Sequence, residues 1–127
     1  MKKRHTALLL AVIGICGLLA YYNSLNNSFV RDDEFLITSN KYIKDWRYTP
    51  QLFTENIAAG SGRPWYSYRP LQMITYAIDH SIWKLNPLGY HITNTLLHII
   101  VALGVFWLIV YLSRDWLLAF ISGLFFV

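Results

Sequence analysis

Phe29-Val30-Arg31-Asp32-Asp33-Glu34-Phe35 sets three consecutive carboxylates behind one guanidinium. A carboxylate held against a hydroxyl can take its proton as a general base. Adjacent carboxylates repel, and Arg31 offsets part of that repulsion. If the stretch is extended, Asp32 and Asp33 point to opposite faces, so only one addresses a given substrate. A solvated acidic turn is the plain alternative. A second candidate is Tyr68-Arg69-Pro70-Leu71, an arginine just before a proline suited to open a helix. A fixed cation beside helix N–H groups suits an oxyanion or a phosphate, and an ordinary surface arginine is the alternative. The third is Tyr90-His91, Asn94 and His98, spaced by three and four residues along one helix face in an apolar run. Polar groups there usually face a bundle interior and hydrogen-bond between helices. Two histidines seven apart, with no cysteine or acid nearby, make a poor zinc site.

The elements that must hold these residues follow from the distribution of charge. Only 14% of the 127 residues are charged, against about 25% in a soluble domain. The charges gather between Arg31 and Lys84 and are nearly absent from 5–30 and 85–127. This is the pattern of a polar segment between membrane segments. The net charge of +4 is dispersed among acids and aromatics, which argues against nucleic acid as a partner. The single cysteine, Cys16, excludes a disulfide within the chain.

Residues 1–5 form a basic head expected in the cytoplasm, and 6–22 a first transmembrane helix with Tyr21 and Tyr22 at the interface. A cleaved signal peptide fits poorly, because Leu18-Leu19-Ala20 offers a bulky residue where a small one is needed. Residues 23–89 form an extracytoplasmic loop carrying the acidic pair and short helices. Within it, Leu71, Ile74, Ile78, Ile82 and Leu85 predict an amphipathic helix over 71–85, apolar enough to lie on a membrane surface. Packing inside the loop domain is the competing fate of that helix. A second transmembrane helix is expected over 90–112, a cytoplasmic turn over 113–115, and a third helix from 116, cut short at 127. The fold class is an all-α membrane protein.

Taken in order, Phe29-Val30-Arg31-Asp32-Asp33 with Ile37 and Asn40, Ser67-Tyr68-Arg69-Pro70-Leu71, and Gly89-Tyr90-His91 with Asn94 and His98 resemble one family. It is the transmembrane and tetratricopeptide-repeat O-mannosyltransferases and their bacterial relatives, of the GT-C superfamily. The resemblance implies that this chain is the N-terminal fragment of a larger GT-C fold, inactive alone, with later membrane helices and tetratricopeptide repeats downstream. It implies a multi-pass protein of the bacterial inner membrane or the endoplasmic reticulum, its active site extracytoplasmic and built on the acidic pair in the first large loop. The donor is a sugar, mannose in the eukaryotic members, on a polyprenyl or dolichyl phosphate. The acceptor is a hydroxyl, on protein in those members. Arg31 stands where an aromatic residue often precedes the pair.

The phosphate is already a good leaving group, so one base and one cation suffice, and a single in-line displacement inverts the anomeric carbon. Asp32 and Asp33 are the expected catalytic pair, with Asp32 as base, and Arg69 the donor-phosphate ligand. Arg31, Glu34, Tyr68, His91, Asn94 and His98 are expected in support. No metal ligand is assigned, and a divalent ion as cofactor is open but not favoured. The competing readings are a transporter or channel subunit, whose pathway His91, Asn94 and His98 would line, and a non-enzymatic membrane anchor for a repeat protein.

Overall fold

A computed structural model describes residues 3–64 and 66–127; Met1 and Lys2 of the basic head, and Trp65, lie outside the described residues. Every regular element among the described residues is helical. Five α-helices run in order: α1 (Lys3–Tyr21), α2 (Thr49–Leu52), α3 (Pro70–Trp83), α4 (Pro87–Ser113) and α5 (Trp116–Phe126). Short 3₁₀ turns at Lys41–Ile43, Trp46–Tyr48 and Ala59–Ser61, and a π turn at Glu34–Thr38, fill the interval before α3.

The residues from Arg4 to Asn26 and helix α4 are long and apolar enough to cross a membrane. Their surfaces add to that reading. Only 11% and 22% of their most apolar windows are buried, whereas the core helix of a soluble protein buries its apolar side chains. Leu8, Ile15, Leu18 and Leu19 on α1, and Ile100, Val101 and Leu108 on α4, stand exposed. Intrahelical bonding satisfies the backbone of such helices without water, which a bilayer interior requires.

The chain divides into two units, one made of residues 1–25 and 91–127, the other of Asn26–Tyr90. In the first, Ile13, Ala102, Phe106 and Ala119 are fully buried where α1, α4 and α5 meet. Small residues bring the helices close. A Cβ on Gly17 would stand 2.6 Å from Ile99 Cγ1, and one on Gly123 would stand 2.8 Å from Ile13 Cδ1. Close backbone approach through small residues is the usual means of packing apolar helices that lack a hydrophobic drive toward one another. Asp115 caps α5, its Oδ1 accepting from the backbone N–H groups of Leu117 and Leu118 at 2.8 and 3.0 Å. Arg114 turns the chain into that cap with a left-handed φ of 59°.

The second unit buries Phe35, Leu36, Ile37, Ile43, Leu52, Ile57, Ala58, Met73, Tyr76, Ala77 and Tyr90 as one core. Asn40 is its polar pin. Fully buried, it donates from Nδ2 to the Ile57 carbonyl at 3.0 Å and accepts at Oδ1 from the Tyr42 N–H at 3.0 Å. Helix α3 packs through Met73, Tyr76, Ala77 and Asp79. The apolar stripe that announces this helix in the sequence faces the other way. Leu71, Ile78, Ile82 and Leu85 are all exposed, Leu71 by 76% and Ile82 by 64%. Of the stripe, only Ile74 packs against the core. The helix is thus amphipathic with its more polar face inward.

Candidate active site

The acidic run is helical, not extended. Arg31 enters a turn with φ 49°, Asp33 has φ −60° and ψ −27°, and the π turn over Glu34–Thr38 follows at once. Burial of three consecutive apolar residues, Phe35, Leu36 and Ile37, anchors that wide turn from below. The opposite-face geometry of a strand therefore does not apply to Asp32 and Asp33. Their environments differ in another way. Asp33 is half-buried and accepts at Oδ2 from the Val30 N–H at 3.0 Å, which closes the turn on itself. Asp32 is exposed, and among the described residues its carboxylate is in no hydrogen bond or ion pair. Glu34 is exposed, and its Oε2 accepts from Thr38 Oγ1 at 2.9 Å.

Arg69 occupies the N-cap position of α3, with Pro70 opening the helix. Its backbone is extended enough (φ −143°) to carry the side chain beside the helix start. The guanidinium is exposed and lies outside ion-pair distance of Asp32 and Asp33. Tyr68 before it is fastened by its hydroxyl, which donates to the Phe53 carbonyl at 2.7 Å.

Tyr76 of α3 is buried in the core of the same unit. Its hydroxyl accepts from Gln72 Nε2 at 2.9 Å. Burial pushes the phenol above its ordinary range; the charges of Asp33 and Asp79 push it further, while the Gln72 bond and Arg69 pull it down. Asp79 is only 2% exposed. It lies off the apolar stripe of the helix. The signal was present in the spacing: Gln72, Tyr76 and Asp79 recur at steps of four and three, a polar line on one helix face. Phe29 stands edge-on to Tyr90 at 5.2 Å, and Tyr90 donates to the Lys84 carbonyl at 2.8 Å, closing the neighbourhood.

His91, Asn94 and His98 belong to the other unit. With Tyr21, Ser24 and Thr95 they line a cavity of about 270 Å³ between the end of α1 and the start of α4. The Tyr21 hydroxyl and His98 Nε2 are 3.3 Å apart, and the His98 ring stacks on Phe126 at 5.2 Å. A smaller crevice of about 70 Å³ also touches Tyr21 and Thr95 and is otherwise apolar, lined by Leu18, Leu25, Ile92 and Leu96. Among the described residues, no group of three or more His, Cys, Asp or Glu is arranged to hold a metal ion.

The chain is similar to protein O-mannosyl-transferases. It is 30% identical to Protein O-mannosyl-transferase TMTC3 of Mus musculus over 102 residues, which is 78% of this chain and 11% of that protein. With Protein O-mannosyl-transferase Tmtc3 of Drosophila melanogaster it shares 33% over 94 residues, 72% of this chain and 10% of the relative. With Protein O-mannosyl-transferase TMTC2 of Homo sapiens it shares 33% over 88 residues, 65% and 10%. The chain thus spans about a tenth of the length of the curated relatives it matches. No family model and no solved structure matches the chain.

Proposed function

We propose that this chain is the first part of a longer GT-C membrane glycosyltransferase, and that the Asn26–Tyr90 unit carries its acceptor-activating edge outside the cytoplasm. The observation that carries the reading is the exposed, uncommitted Asp32 carboxylate on a turn closed by Asp33, in the same unit as an exposed Arg69 at the start of α3, in a chain similar to enzymes named for mannosyl transfer to protein. The donor is a sugar, mannose by analogy with those names, on a polyprenyl or dolichyl phosphate. Asp32, exposed and with its carboxylate uncommitted, takes the proton of an acceptor hydroxyl, on protein by the same analogy. The acceptor oxygen bonds to the anomeric carbon as the bond to the phosphate oxygen breaks, so the configuration inverts. Arg69 receives the departing phosphate, and no general acid is needed because the phosphate leaves as an anion. Asp33 holds the turn that presents Asp32.

The arginine gives the reading its test. A guanidinium offers two parallel donors to a phosphate, which an ammonium cannot. In the full-length protein, Arg69→Lys is expected to weaken donor binding and transfer at least tenfold, with the melting temperature held, since Arg69 is exposed and outside ion-pair distance of the acids. Unchanged donor binding and transfer would remove Arg69 from the site.

A further inference from the structure

The cavity at the end of α1 has no part in the transfer just described, yet its lining is chemically selective. Its six side chains offer three hydroxyls, two imidazoles and one carboxamide, and no acid, lysine or arginine. Every one of them can both give and accept a hydrogen bond, a neutral imidazole through one nitrogen each way. The volume of about 270 Å³ equals the liquid share of about nine waters at about 30 Å³ each. The adjoining crevice is the chemical opposite, four aliphatic side chains that meet the polar cavity at Tyr21 and Thr95. His91 to His98 lie within the first four turns of α4.

We propose that cavity and crevice together bind an amphiphile with an uncharged, hydroxyl-bearing head, the head among His91, Asn94 and His98 and the tail along Leu18, Ile92 and Leu96. A buried phosphate would meet no fixed cation there, and its desolvation would go uncompensated. Hydroxyls exchange bonds with the Asn94 carboxamide and the Tyr21, Ser24 and Thr95 hydroxyls at no such cost. The site rests on α1 and α4 lying in a bilayer, which resistance to alkaline extraction tests separately. It does not depend on the sugar-transfer reading.

The probe is octyl glucoside carrying a photoreactive diazirine in its tail, applied to the whole chain in phosphatidylcholine nanodiscs, with labelled peptides mapped by mass spectrometry. Labelling is expected on α1 and the first half of α4. Unmodified octyl glucoside should compete at least tenfold better than octyl phosphate, and free glucose should not compete at the same concentrations. Asn94→Leu is expected to cut labelling about tenfold, the loss of one or two hydrogen bonds; its side chain is exposed to the cavity, so helicity and elution volume should be unchanged. His98→Phe keeps a ring against Phe126 and Tyr21 and should show the same loss. Ile100→Ala, exposed and outside both cavities, should label normally. Octyl phosphate competing as well as octyl glucoside, or Asn94→Leu labelling like the parent, would overturn the proposal.

Discussion

At the scale of residues, the acidic run depends on groups that touch no substrate. Asn40 is the clearest. Its amide joins the Tyr42 N–H to the Ile57 carbonyl inside the core, and Gly60 lies so close that a Cβ there would collide with Asn40 Oδ1. Asn40→Ala leaves two buried backbone groups unpaired and should cost about 2–4 kcal/mol; Gly60→Ala should destabilise the same unit by displacing that amide. Urea unfolding followed by tryptophan fluorescence measures both. His80 supplies a pH signature. Burial first, then the charges of Lys84 and Lys44, hold its imidazole below the ordinary value of about 6.5. A depressed value means the unfolded chain binds the proton more readily, so this stability is present above about pH 6.5 and is lost as pH falls through the folded value. The midpoint of the Asn26–Tyr90 unit should therefore drop between pH 7.5 and 5, and His80→Gln should flatten that part of the slope. An unaltered slope in His80→Gln would assign the pH dependence to other groups.

At the scale of elements, helix α3 shows what the sequence could and could not say. The recurrence of Leu71, Ile74, Ile78, Ile82 and Leu85 announces a helix, and the structure has one from Pro70 to Trp83. Periodicity tells which face avoids water but not whether protein or lipid covers it. Here Met73, Tyr76, Ala77 and Asp79 face the core, and the aliphatic stripe is left outside. The stripe ends at Leu85, two residues before α4 begins, so it is joined directly to a helix long and apolar enough to cross a membrane. We expect it to lie in the bilayer interface. Spin labels on single cysteines at Leu71 and Ile82, in a Cys16→Ser background, should be relaxed by lipid-soluble oxygen and shielded from a water-soluble nickel chelate, with a label at Thr54 showing the reverse. Nickel access equal at all three would place the stripe in water. The acidic turn was less legible, because its form depends on a left-handed Arg31 and on burying Phe35, Leu36 and Ile37 in succession, a pattern with neither strand nor α-helix period. Asp79 is legible in spacing, three residues from Tyr76, but the apolar stripe does not mark its face as the buried one.

At the scale of the whole molecule, the division of labour is between apolar helices and an intervening polar unit. The long apolar segments were readable from composition alone, since few charges and long runs leave little else for them to do. The surroundings of Tyr76 were less so, because Asp33 is distant from it in sequence and only the packing of α3 against the turns of its unit brings that charge to bear on the hydroxyl, whereas Arg69 and Asp79 belong to the same helix and its cap. We expect Asp32 to serve as the base of sugar transfer. The most direct measurement is transfer of mannose from dolichyl phosphate mannose to a hydroxyl-bearing peptide by the full-length protein in proteoliposomes, parent against Asp32→Asn at matched expression and melting temperature. A loss of about 10²–10⁴-fold with donor binding retained is expected. Full turnover by Asp32→Asn would contradict it.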